Sequence, residues 1–355
     1  MFFLGAQRLG ANLRNLVSRL PACQSGSRTL SLAAMKPQVV VVGSFVQDLC
    51  WRCAEFPQAG ETVIGTFVTG PGGKGSNQAV AAGRAGVRTR FIGAVGRDVF
   101  AEAAKRFYRA ERIEACFVEK PGHATGTAAI LLNAGAQNEI VVALGASAQL
   151  QPRDVPAAQI RGARVVVCQH EANLPINAHV FRLARRAGAV TVLNPAPMRP
   201  DFAPSILRLT DVLIPNETEF VALVNLLGRA RARGRKRAAF TEAALHALAP
   251  DALHRLCRTL GVPAVIVTLG RRGCFVSEPN RFAAIAAYTG IKVVDTTGAG
   301  DAFVGGFAAG FVRSGGDVLV AARHGNAVAA LSVTKFGTAP SMPTQKEIER
   351  FLRTR

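Results

Sequence analysis

Asp295-Thr296-Thr297-Gly298-Ala299-Gly300-Asp301 sets two carboxylates on either side of a run of small residues and leads into a helix of glycine, alanine and phenylalanine. Successive amides in such a turn, at the positive end of a helix, form an anion hole. They stabilise the negative charge that builds on a transferring phosphoryl group. A carboxylate at the helix start orients an attacking hydroxyl, whose proton leaves late in a loose phosphoryl-transfer transition state. A plain N-terminal cap would account for Asp301 alone, but not for Asp295 and the small residues between them.

Pro71-Gly72-Gly73-Lys74-Gly75-Ser76-Asn77 also precedes a small-residue helix. Its glycines let backbone approach a ligand closely while helix N-terminal amides face it, an arrangement suited to sugar hydroxyls or to a purely structural turn. It lacks the four-residue spacing of a Walker A loop. Asn216-Glu217-Thr218-Glu219 has the spacing of a capping box, and in a nucleotide enzyme the same face would aim Glu219 at Mg²⁺ through water. Asn194-Pro195-Ala196-Pro197 closes a strand, where an amide held by prolines can address ligand oxygens.

The elements that must position these residues follow from periodicity. An unbroken β-branched run at 38–42 and further apolar stretches at 89–94, 165–169, 190–193, 212–215 and 265–269 read as strands of a buried parallel sheet. Helical patterns at 78–85, 101–109, 177–187, 220–227, 252–260 and 300–311 fill the gaps, and residues 291–294 look strand-like. The alternation predicts a three-layer α/β/α fold with a mainly parallel central sheet and ligands at the strand C-termini. Residues 45–70 and 115–143 lack helical periodicity and read as a small β-sheet lid on a domain spanning 35–345.

The chain has 355 residues, 49% of them apolar, enough for a sizeable core. Its net charge of +20 is uneven, since residues 1–34 and the arginine run at 229–237 supply ten of the twenty charges. The remainder is spread thinly, which argues against nucleic acid as the main partner. Seven cysteines without regular spacing argue against a disulfide framework; Cys50 and Cys53 form one CxxC, with no second ligand pair for zinc. No apolar run is long enough to span a membrane. Residues 1–34 carry arginines, serines and no acid, a transit-peptide composition, with a disordered extension before Met35 as the alternative. The reading is of a cytoplasmic protein, with mitochondrial or plastid import through residues 1–34 left open. The basic run at 229–237 reads as a surface insertion, and it leaves a nuclear address open as well.

Taken in order, Gly72-Gly73-Lys74-Gly75-Ser76-Asn77-Gln78-Ala79, Asn194-Pro195-Ala196-Pro197, Asn216-Glu217-Thr218-Glu219, Thr268-Leu269-Gly270 and Asp295 to Asp301 resemble the ribokinase-like (PfkB) carbohydrate kinase family across about residues 38–343. The resemblance implies ATP-dependent phosphorylation of a small sugar, D-ribose at its 5-hydroxyl. Asp301 would be the base, and the amides of Gly298, Ala299 and Gly300 the anion hole. Val46, Gln47, Asp48, Gly73, Lys74, Gly75, Ser76, Asn77 and Glu171 match the sugar positions, together with Asp301. Asn194, Glu219, Thr268, Leu269, Gly270, Arg271, Arg272, Gly273 and Asn326 match those that meet ATP or its Mg²⁺, with Gly300 and Asp301. A K⁺ site would fall at Asp295, Thr297, Ser332, Lys335, Gly337 and Ser341, several acting through carbonyls. A homodimer formed through the lid is implied too, near Cys50, Trp51 and Cys53.

Val46 and Gln47 depart from the Asn and small residues of some members, which bears on sugar choice; Ser76 and Ser147 replace a frequent Ala and Asn. Two other readings stay open. One keeps the fold and changes the acceptor to deoxyribose, fructose, adenosine or pseudouridine. The other is a silent kinase fold that binds RNA or a partner through the arginine run.

Overall fold

The computed structural model describes residues 36–135, 137–231 and 238–355. The extension at 1–34 and residues 232–237 of the arginine run lie outside the described residues, and the helix before that run continues to Arg231.

Four consecutive valines form β1 (Val39–Val42). Side chains alternate across a strand, so Val39 and Val41 enter one buried apolar cluster and Val40 and Val42 the other. A strand that must bury both faces belongs in the middle of a sheet covered by helices on both sides. There it pairs in parallel with β4 (Thr89–Val95) and β8 (Val165–Cys168). The sheet extends past β8 through β9 (Val190–Leu193), β10 (Val212–Leu213) and β11 (Ala264–Thr268), and past β4 to β5 (Glu114–Glu119), all in parallel. An antiparallel hairpin, β12 (Cys274–Glu278) and β13 (Arg281–Ile285), completes nine strands at the β11 edge.

One face is covered by α1 (Lys74–Arg84), α2 (Val99–Glu111), α6 (Ala299–Arg313), α7 (Val318–Ser332) and α8 (Gln345–Arg353). The other carries α3 (Leu174–Arg186), α4 (Glu217–Arg231) and α5 (Pro250–Arg258).

A second sheet has the order β3-β2-β6-β7, from β2 (Val46–Arg52), β3 (Thr66–Gly72), β6 (Gly126–Leu132) and β7 (Asn138–Ala143). Its outer pairs are antiparallel, but β2 and β6 run parallel. Two expectations need correcting. Residues 115–143 do not all leave the main sheet, because Glu114–Glu119 is its edge strand. Residues 291–294 form no strand; Val293 and Val294 are each about half exposed beside the small sheet, so their β-branched pattern reports a cavity wall. The β12–β13 hairpin and the last two helices were not anticipated.

The helices α1 and α6 approach closely because both present small residues. A Cβ on Gly305 would lie 2.5 Å from the Cβ of Ala81 and against the Gln78 carbonyl, atoms that cannot swing aside. Backbone contact of this kind carries Asn77 and Gln78 on α1 to Asp301 on α6. Gly305→Ala should therefore destabilise the protein by about 1–3 kcal/mol through overpacking, read as a lower urea midpoint with an unchanged slope.

Candidate active site

The site forms where the C-terminal ends of the central strands meet the starts of α1 and α6. Gly73 links β3 to α1 with φ of 88°, in the left-handed region. A Cβ there would stand 2.7 Å from the Val46 amide nitrogen, so this turn presses directly on the passage from β1 into β2. Glu171, just beyond β8, accepts from the Lys74 amide (2.8 Å) and the Ser44 hydroxyl (2.7 Å) with one oxygen. It thereby supplies the acceptor that the start of α1 lacks.

Asp301 is buried in the first turn of α6. Its Oδ2 accepts from Asn77 Nδ2 at 2.9 Å, and its Oδ1 from Gln78 Nε2 at 3.0 Å. Lys74 is close enough that Asp301, above all, holds its ammonium over the usual lysine range, with Glu171 and Glu219 adding to the effect against burial. Ahead of Asp301, Gly298 caps α6 in the left-handed conformation without a side-chain cap bond. The Ala299 amide donates back to the Thr296 carbonyl (3.2 Å) and is thus engaged in the turn. Over Gly300 the space is open: a Cβ there would meet no atom within 4 Å.

Asp295 ties two loops together, its Oδ1 accepting from the Thr297 amide (2.9 Å) and its Oδ2 from the Gly337 amide (3.0 Å). The next residue, Thr338, donates its hydroxyl to Asp48 Oδ2 at 2.9 Å. Burial pushes the Asp48 carboxyl up to about 6, with the Glu171 and Asp301 charges adding to the rise and the Thr338 bond opposing it. Between the Asp48 face of the small sheet and these loops opens a cavity of about 380 Å³. Cys50, Val68 and Ile130 line it from the sheet, Thr297 and Thr338 from the loops; Asp301 and Lys74 lie outside the lining.

Farther along the sheet, Asn194 is held on both sides of its amide, Oδ1 accepting from Gln78 (3.0 Å) and Nδ2 donating to the Ile214 carbonyl (2.9 Å). Asn216 and Glu219 do form the reciprocal capping box, at 2.9 and 2.8 Å. Burial raises the Glu219 carboxyl, and the opposing pull of Lys74 places it within electrostatic reach of the same centre. Thr268 to Gly273 make the turn from β11 into β12; within it Arg272 reaches Glu217 at 3.1 Å, and Arg271 is exposed. Asn326 on α7 donates to the carbonyls of Ile285 and Ala286.

Asp48, Gly73, Lys74, Asn77, Glu171 and Asp301 thus converge. Two side chains singled out from the sequence do not. Gln47 sits on the opposite face of β2 from Asp48 and donates to Thr69 (2.7 Å). Ser76 is fully buried, its hydroxyl toward Tyr108 in the core. Val46 is buried at the root of β2, and Gly75 in the first turn of α1. Of the six positions matched to a K⁺ site, Ser332, Lys335 and Ser341 spend their side chains on Ala329 O, Glu347 and Thr338 O, and the Ser332 carbonyl accepts from the Lys335 amide at 3.2 Å.

Four residues of the site were given no role from the sequence: Ser44, Gln169, Thr338 and Gln78, the last quoted only as part of the Gly72 to Ala79 motif. Gln78 alone carried a signal, as the polar residue next to Asn77 at the start of an otherwise small-residue helix.

The profile of pfkB family carbohydrate kinases matches residues 36–345. Ribokinase of Staphylococcus aureus is 32% identical over 321 residues, 89% of this chain and 100% of that protein. Deoxyribokinase of Salmonella typhi is also 32% identical, over 318 residues that make up 88% of this chain and 98% of that one. The structure of Arabidopsis thaliana ribokinase complexed with ribose and ATP superposes with a TM-score of 0.73 at 29% identity, covering 90% of this chain and 99% of that one.

The Asp48 carboxyl should titrate near 6 in a carbon-13 NMR titration, and Thr338→Val should move its midpoint upward by removing the bond that favours the charged form. The folded value lies above the unfolded one of about 3.9. Its contribution to stability is therefore fully present below about 3.9 and is lost as pH rises through about 6. Relative to the parent protein, Asp48→Asn should thus be more stable at neutral pH than it is in acid, read by urea unfolding at both.

Proposed function

The chain belongs to the pfkB family of carbohydrate kinases and is an ATP-dependent sugar kinase; from that premise we propose that it phosphorylates D-ribose at the 5-hydroxyl. The observation that carries the reading is the Asp301 carboxylate, held by Asn77 and Gln78 beside Lys74 at the start of α6. In this reaction the hydroxyl oxygen bonds to the γ-phosphorus, the bond to the β-phosphate oxygen breaks, ADP leaves, and the hydroxyl proton passes to Asp301. Asp301 chiefly orients the hydroxyl, because the proton is lost late. Charge on the phosphoryl oxygens meets the amides of Gly298 and Gly300 and the helix start. Asp48, Gly73, Asn77 and Glu171 hold the other hydroxyls, with Lys74 spanning sugar and phosphate. Asn194, Thr268 to Gly273 and Asn326 frame the nucleotide side, Asn194 through the bonds that fix its strand end.

Glu219 fits a water-mediated Mg²⁺ role, being a buried carboxylate in reach of Lys74 and Asp301. The ion would neutralise charge on the ATP phosphates. A K⁺ ion would be held by the Asp295 carboxylate, whose two oxygens already take the amides of Thr297 and Gly337, together with backbone carbonyls of the two loops it joins. Asp295 itself holds the loop before α6 against the loop carrying Thr338.

The small sheet serves as cover with its Asp48 face. Its other face carries Trp51 and Phe67, with rings 5.1 Å apart, and Val141, which is 73% exposed. On that surface we place a homodimer contact. Trp51→Arg should convert a dimer into a monomer in sedimentation, and an unchanged mass would remove this assignment.

Sugar choice is not separable by identity, since the Staphylococcus ribokinase and the Salmonella deoxyribokinase match equally. ADP release with ATP and Mg²⁺ should be faster with D-ribose than with 2-deoxyribose, and faster in K⁺ than in Na⁺. Asp301→Asn should lower the rate by about 10²–10⁴-fold. A preference for deoxyribose would overturn the acceptor, and full activity of Asp301→Asn would overturn the mechanism.

A further inference from the structure

Gln78 is fully buried, and its carboxamide is satisfied at both ends. The Nε2 group donates one hydrogen to Asp301 Oδ1 and the other to Asn194 Oδ1, both at 3.0 Å. Its Oε1 accepts from Gln169 Nε2 at 2.6 Å. The Gln169 backbone is anchored in turn, its carbonyl accepting from Asn177 Nδ2 at 2.7 Å. Because the Asp301 carboxylate and Asn194 Oδ1, whose Nδ2 is spent on the Ile214 carbonyl, can only accept, the NH₂ of Gln78 must face them, which turns its oxygen toward Gln169 just beyond β8.

We infer that Gln78 is the positioning residue of the reaction: it fixes the plane of the Asp301 carboxylate and couples that base to the strand end bearing Asn194, on the nucleotide side. Asn77 and Gln78 grip Asp301 from two sides, one oxygen each, so the carboxylate cannot rotate about its last bond without breaking one of them. Each oxygen keeps a lone pair, and the direction of the free pair toward the incoming hydroxyl is set by the two amides together. Holding a reacting group in this way is worth much in rate and little in ground-state binding. This inference rests on Asp301 being the base.

The test is steady-state kinetics of the full chain with D-ribose and ATP. Gln78→Met conserves length and volume while removing the donors, and should lower kcat by about 100-fold with both KM values within about twofold. Gln78→Glu keeps the shape and the acceptor for Gln169 but sets a second carboxylate against Asp301. It should lose kcat in the same way, and it decides the matter if the methionine variant does not fold, as checked by thermal melting. In the Asp301→Asn background, Gln78→Met should cost nothing further, because there is no carboxylate left to aim. A folded Gln78 variant with kcat intact, or one whose loss lies entirely in KM, would overturn the inference while leaving the Asp301 reading standing. An active Asp301→Asn enzyme would instead remove the premise.

Discussion

The contact between the backbones of α1 and α6 governs the rest of the molecule. One helix comes from the turn after the small sheet and the other from the loop after Asp295, and they are more than two hundred residues apart in sequence. Only Gly305 opposite Ala81 lets their axes come near enough for the short amide of Asn77 to reach Asp301. Small side chains on these helices contribute little hydrophobic burial of their own. They exchange it for proximity, and the aromatic residues on the other sides of α6, Phe303 and Phe307, supply the buried area that keeps the pair in place.

With the helices fixed, charge gathers in a small volume. Glu171, Glu219 and Asp301 act on one ammonium, that of Lys74, and Asp48 in turn feels the charges of Glu171 and Asp301. An unpaired carboxylate in such a setting is costly. The structure offsets the cost with specific donors: the Lys74 amide and Ser44 for Glu171, Thr338 for Asp48, Asn216 for Glu219, and two side-chain amides for Asp301. An excess of negative groups suits a centre that must organise hydroxyls and cations. Neutral side-chain amides, rather than further cations, hold the Asp301 carboxylate.

Much of this was legible in the sequence where the signal is local. A buried parallel strand shows itself as a valine run, and a helix start in a tight or left-handed turn shows itself as glycine, so β1, the start of α1 and the start of α6 could be read directly. What escaped depends on partners far along the chain. Glu114–Glu119 is a half-buried edge strand and has the composition of the small sheet, so only its pairing with β4 assigns it. Val293 and Val294 are β-branched because they wall a cavity. Gln78 looks like any polar residue in a helix until Gln169, Asn194 and Asp301 are seen around it. At Asn216 and Glu219 the carboxyl that caps its helix also lies in the field of Lys74 and Asp301, which the spacing of a capping box does not reveal.

The small sheet joins the body along a single row. Val46 pairs with Gly72 and with Gly126, and Thr127 in the next position pairs with Ala143, so all four chain crossings lie at one end of its strands. From that row β2 extends as an arm about 20 Å long at about 3.3 Å per residue. A rotation of roughly 10° would carry the Arg52 tip about 3.5 Å while moving Asp48 only about 1 Å. The free end rests on the loop beside Asp295, where the Arg52 guanidinium lies 3.8 Å from the centre of the Phe336 ring. Geometry alone makes any displacement of this sheet as a body largest at Arg52 and smallest at Asp48, beside Glu171 and Asp301.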